Sequence, residues 1–123
     1  MPGAVPELAP AQVALLRIVA QRLAGPRCPD PAAAVRWLGA AQGQDLPGAL
    51  TSVALRTADR GRAPVEAALA AGEVVRSWPM RGTLHLVPAA VLGWLLSLTG
   101  ARLLAGAARR RAGLGLDDAT CER

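Results

Sequence analysis

Two glutamines flanking a single glycine, Gln42-Gly43-Gln44, with Asp45 beside them, are the residues of this chain whose types and spacing are best suited to chemistry. On a regular α-helix, positions two apart point about 200° away from each other, so a shared site requires the helix to break there. Gly43 between them and Pro47 beyond them favour such a break, and in extended backbone an i, i+2 pair projects to one side. Two neutral amides so placed donate and accept at once, which suits orienting a water or hydrogen-bonding a base, with Asp45 as a neighbouring charge stabiliser. The plainer alternative is a polar helix end whose amides satisfy nearby carbonyls.

A second cluster lies in Arg76-Ser77-Trp78-Pro79-Met80-Arg81-Gly82-Thr83-Leu84-His85-Leu86-Val87-Pro88, which holds the only histidine. β-Favouring residues on both flanks, with Pro79, Gly82 and polar neighbours between them, predict a tight hairpin. Strand alternation puts Thr83, His85 and Val87 on one face and Leu84 and Leu86 on the other. The leucines are then expected to face the core, and His85 to face outward or into a neighbouring groove. A lone histidine is more commonly satisfied by local backbone. Arg76 and Arg81 flank the turn and are candidates for phosphate contact, as is Thr83; a solvated charged edge that discourages aggregation is the alternative. Arg109-Arg110-Arg111 are further phosphate candidates or a favourable cationic helix end. Arg56, with Arg60 and Arg62, stays undecided between the two roles.

The elements that must position these groups follow from apolar spacing and punctuation. A first amphipathic helix is predicted from Pro10 to Ala24, ended by Gly25-Pro26. Asp30-Pro31 caps a second, expected to run through Val35, Leu38 and Ala41 and to fail near Gly43. Pro47 starts a third, with Leu50, Val53 and Ala54 as its apolar side, closed by Asp59-Arg60-Gly61-Arg62. Pro64 opens a fourth that runs to Gly72. The hairpin follows over 73–87, and a long last helix begins near Pro88 with Val91, Leu92, Leu95, Leu96, Leu103 and Leu104. The apolar stretch from Leu86 to Ala101 is short for a bilayer span and reads as a buried helix. Residues 1–9 are expected to be flexible, 10–112 to form one domain, and 113–123 to be a tail without periodicity that looks cut off. The fold class expected is mainly α with a small antiparallel β-hairpin, a winged helix-turn-helix.

Composition agrees with one domain. The 123 residues are 52% hydrophobic yet hold no Phe or Tyr and three Trp, so the core must be built from Ala, Leu and Val, a set that suits helices. All 14 basic residues are arginine against nine carboxylates, a formal charge of +5. An all-arginine surface suits phosphates and stacks on bases, although coding bias toward Arg, Ala and Gly gives the same composition. Cys28 and Cys121 are far apart and one histidine is present, so neither a zinc site nor a disulfide framework is supported, and a reducing cytoplasm fits best. No cofactor is expected. The N-terminus lacks the basic and apolar regions of a signal peptide. In a winged helix the helix before the hairpin reads bases, yet Val65 to Ala71 offers one Glu and no Arg, Asn, Gln, Ser or Thr. That argues against a sequence-specific transcription factor and leaves backbone contact with duplex DNA open.

The hairpin segment Arg76 to Val87, some thirty residues after Ala41-Gln42-Gly43-Gln44-Asp45, resembles the winged-helix proteins of the AlkZ-like family, which are bacterial DNA glycosylases. The resemblance runs from the first helix through the helix after the hairpin. It implies that a Gln-x-Gln pair is catalytic, which Gln42 and Gln44 match; the Gln-x-Asp branch is not matched, because Asp45 sits one position late. Implied too are removal of bulky alkylated purines, including unhooking of interstrand crosslinks, without metal or cofactor, and a bacterial cytosolic location. Members of the family are longer, with several winged-helix units around a concave DNA channel. This chain corresponds to the N-terminal unit, and alone it is expected to be inactive. A non-catalytic DNA-binding module and a pure interaction fragment are the rival expectations.

Overall fold

A computed structural model describes residues 7–121, in the order α1 (Pro10–Ala20), α2 (Pro31–Leu38), β1 (Ala41–Gln42), α3 (Leu46–Ala54), α4 (Arg62–Ala70), β2 (Val74–Met80), β3 (Thr83–Pro88), α5 (Ala89–Gly113) and α6 (Asp118–Cys121). Residues 1–6 of the stretch expected to be flexible, and 122–123 of the tail, lie outside the described residues. From α2 to β3 the order is helix, strand, helix, helix, strand, strand, which is that of a winged helix.

Local chemistry sets most boundaries. Asp30 caps α2, its Oδ1 accepting from the Ala33 amide at 2.7 Å, and Pro31 supplies a helix-ready φ at the first position. The helix then stops at Leu38 and not at Ala41. Gly39 turns the chain at φ +76°, a conformation that glycine adopts without a Cβ penalty, and Ala41 and Gln42 go into a strand. Gly72 does the same after α4, at φ +74°. Pro64 sits two residues inside α4, and α1 ends four residues before Ala24.

The sheet is antiparallel with strand order β1-β3-β2, so the expected two-stranded hairpin gains a third strand. Ala41 pairs with Leu86 and Gln42 with His85, while across β3 Arg76 pairs with Leu86 and Ser77 with His85. Arg81 and Gly82 make the turn, with φ +57° and +68°. Pro79 is buried in β2, beside a register shift between Ser77 and Met80 that spares it a ladder amide.

One sheet face carries Leu86, Val74 and Ala41 into a core made with Val35, Ala34, Leu50, Val53, Val65 and Ala68 from α2, α3 and α4. Leu86, Val35, Val53 and Val65 are fully buried. The opposite face, with His85 and Val87, lies under α5. Val91, Leu95, Thr99 and Leu103, spaced four apart, form the partly buried stripe of that helix, and the Thr99 hydroxyl donates to the Pro79 carbonyl of β2.

The expectation of a buried last helix is corrected. The helix begins just after Pro88, as expected, but Arg102 lies within it and it runs for 25 residues of which none is buried. Its apolar side chains are spread around the circumference, so one stripe packs while Trp94, Leu98 and Leu104 stay more than half exposed. Among the described residues it is the one helix long and apolar enough to cross a membrane by length and composition. Beyond it α6 closes a short turn, with Arg111 bridging to Asp118 at 3.4 Å. Asp117 Oδ1 accepts from the Thr120 amide at 2.8 Å, and hydrogen bonding to Thr120 holds its carboxyl below the ordinary value.

Candidate nucleic-acid interface and glutamine turn

Cross-strand pairing brings Gln42, His85 and Ser77 into one row on the face beneath α5, because residues directly opposite in an antiparallel ladder share a side. Gln42 and His85 line a cleft of about 530 Å³ together with Arg36, Arg81 and Trp94. Met80 and Arg81 are shared with a second hollow of about 660 Å³ that continues along α5 to Arg102. Arg36 and Arg81 border the first hollow, and Arg81 and Arg102 the second.

His85 is buried, and its ring is fixed by one contact, Nδ1 to the Thr83 carbonyl at 2.9 Å. A carbonyl only accepts, so Nδ1 carries a proton, and in the neutral ring Nε2 is the acceptor. The histidine thus occupies the neighbouring groove anticipated for it and is also satisfied by local backbone, combining the two alternatives.

After Gln42 the chain leaves β1 through a tightly held turn. Gly43 donates to the Leu84 carbonyl at 2.7 Å, and Leu84 donates back to Gln44 Oε1 at 3.1 Å. Arg76 Nε donates to the Gly43 carbonyl at 2.8 Å and its Nη2 to the Gln44 carbonyl at 3.1 Å. A Cβ at Gly43 would come within 3.4 Å of the Leu86 nitrogen, so glycine lets this turn lie against β3. The backbone here passes from a strand at Gln42 into a bend at Gln44 and is not helical. The two side chains nevertheless part ways: Gln42 lines the cleft, and Gln44 spends its amide oxygen on the hairpin. Asp45 precedes α3 without a side-chain capping bond.

The arginines also separate. Arg56 is 8% exposed, with its guanidinium on the Ser52 carbonyl and hydroxyl and on Gln21 Oε1, so it ties α3 to the end of α1 and does not face outward. Burial lowers its pKa from the ordinary arginine value, partly offset by Cys28. Arg76 is engaged with the turn. Arg81 projects from the hairpin tip, Thr83 is half-buried beside it, Arg109 and Arg110 are exposed, and Arg111 is held by Asp118 and by the Leu104 carbonyl. Arg60 is exposed, and Arg62 pairs weakly with Glu66 at 4.0 Å. Sequence reasoning missed Arg36 and Trp94 in the cleft. Arg36 carries no distinguishing spacing, and Trp94 was hidden in a helix read as buried.

The family model described as DNA glycosylase AlkZ-like matches residues 35–123, from the middle of α2 onward and including the glutamine turn, the hairpin and α5. The chain belongs to the AlkZ-like DNA glycosylase family. Its fold is also similar to the solved structure of Streptomyces sahachiroi DNA glycosylase AlkZ, at 33% identity and a TM-score of 0.66 over 76% of this chain. The likeness covers 25% of the AlkZ chain, so this AlkZ-like unit spans about a quarter of that relative's length. No curated protein matches the sequence. Membership agrees with the resemblance carried by the two motifs, and the mainly α fold with its small antiparallel sheet is the one expected.

Proposed function

We propose that this chain is the DNA-engaging unit of a DNA glycosylase acting on alkylated purines, in which Gln42 faces the lesion from the cleft beneath α5. One observation carries the reading: in a member of this family, Gln42 and His85 stand opposite each other across β1 and β3 and line an open cleft bordered by Arg36 and Arg81. An N-alkylated purine is cationic and already a good leaving group, so its glycosidic bond breaks without strong acid catalysis. What remains is to stabilise an oxocarbenium-like sugar and to place a water. A preorganised amide oxygen favours developing positive charge, and the amide N–H groups hold water by its lone pairs. The imidazole Nε2 beside Gln42 is an acceptor for that water's proton. Arg81, Arg36 and the basic end of α5 supply sequence-independent attraction to duplex phosphates, Thr83 adds a hydroxyl, and the bacterial cytosol is the compartment that fits such a substrate.

The test has two arms. Binding of this chain to random duplex DNA is measured against salt, and log K is expected to fall linearly with log salt. Excision is measured from a duplex containing N7-methylguanine, using AlkZ with this unit substituted for its matching segment. Base release is expected to fall when Gln42 and Gln44 are both replaced by Ala; unchanged release would sink the catalytic reading. A second reading, a DNA-binding module without excision, is favoured by the engagement of Gln44 Oε1 with the Leu84 amide, which leaves one glutamine free in the cleft.

A further inference from the structure

We infer that Arg76 is a positioning residue, clamping the Gln-Gly-Gln turn through its backbone, and does not serve as a phosphate contact of the hairpin. The inference rests on the proposed role of that turn and names what holds it. Arg76 lies on β2, at the far side of β3 from β1, yet its guanidinium reaches across to the carbonyls of Gly43 at 2.8 Å and Gln44 at 3.1 Å. No carboxylate forms an ion pair with it among the described residues, so the cation is oriented by two carbonyl dipoles instead. The same turn is tied to β3 by the Gly43 amide on the Leu84 carbonyl and the Leu84 amide on Gln44 Oε1. Two bonds run from β3 and two from β2, and they meet in the two residues that follow Gln42.

Without Arg76, both carbonyls would turn to water and Gly43, free of a side chain, would have the widest conformational choice of any residue. The path by which the chain leaves Gln42, and so the placing of Gln44 relative to it, depends on that choice. A forked guanidinium is needed because two acceptors a residue apart must be held by one rigid head; an ammonium on a flexible stem keeps the charge and loses the fork. Arg81, five positions on at the hairpin tip, is exposed as Arg76 is, yet its side chain forms no hydrogen bond among the described residues, and it supplies the contrast.

Amide hydrogen exchange of the whole chain without DNA, compared among Arg76, Arg76→Gln and Arg76→Lys, tests the clamp directly. Exchange at Gly43 and Leu84 is expected to quicken about tenfold or more in both variants, while amides in the β2–β3 ladder near Val75 and Val87 keep their rates. In the same proteins, the salt slope of random-duplex binding is expected to stay as in the parent, whereas Arg81→Ala lowers it by about one. Retention of parent exchange at Gly43 and Leu84 would overturn the inference. So would a quickening spread evenly over the sheet, which marks a general structural loss, or a salt slope that falls by about one in Arg76→Gln and is restored in Arg76→Lys. Should the chain bind no DNA at all, the proposed function fails and the exchange comparison still decides the clamp. Should Arg76→Gln fail to fold, Arg76→Lys alone separates a fork from a charge.

Discussion

The helix before the hairpin and the face of the sheet under α5 are two surfaces of one winged helix, and here they could hardly differ more. Helix α4 exposes Ala63, Ala67 and Ala70, with Glu66 and its weak partner Arg62. Nothing on it except Arg62 has the donors that read a base edge. The sheet face gathers an amide, an imidazole, two guanidiniums and an indole around one cleft. The helix that usually reads sequence has been reduced to a packing element, its Val65 and Ala68 filling the core. The polar and charged side chains gather instead around the cleft that β1 and the hairpin help to line. The fold is kept while its polar content is redistributed, so membership of a DNA-binding architecture does not by itself say which surface does the work.

Substitutions along β3 break this contrast most sharply, because alternate residues there serve the core and the cleft. Leu86→Ala empties a fully buried site against α2, α3 and α4 and is expected to cost about 3 kcal/mol, read from chemical denaturation. Gln42→Ala removes an exposed side chain from the edge strand. It should shift stability by under about 0.5 kcal/mol, yet lower excision by about 10²-fold in the AlkZ chimaera, read under single turnover. At the turn, Arg81→Gly relieves a left-handed φ of 57° and should raise stability by about 1 kcal/mol. The same change should lower the salt slope of duplex binding by about one, so gain of stability and loss of DNA contact are expected together. On the opposing surface, Glu66→Ala breaks an exposed pair with Arg62 and should change stability by no more than about 0.5 kcal/mol, by thermal melting.

The parts of this account that were legible beforehand are those governed by local chemistry. Asp30-Pro31 announced the start of α2 because a short acceptor and a fixed φ suit the same two positions. Alternation along Thr83 to Val87 put Leu86 inside and His85 in a groove. Strand β1 was not legible, since two residues make no period and Ala41 continues the helical spacing of Val35 and Leu38; its existence depends on pairing with β3, about 40 residues away in the chain, as the Gln44 to Leu84 contact also shows. Gly43 was recognised as a breaking point, but the actual break is made earlier by Gly39, whose φ no local pattern forecast. The roles of Arg56 and Arg76 were equally hidden. Arginine on a helix or hairpin reads as surface charge, and only the fold shows that one is spent on Ser52 and Gln21 and the other on the glutamine turn. Helix α5 misled for a different reason: its composition fits a buried helix, whereas the number of neighbours available to cover it is a property of the assembled chain.

Chemical-shift mapping of the labelled chain with a short random duplex at low salt tests most directly which surface meets DNA. The account predicts perturbations centred on Gln42, Thr83, His85 and Arg81, extending along α5, with α4 from Arg62 to Ala70 left in place. Perturbations centred on α4, with Gln42 and His85 unmoved, would contradict it.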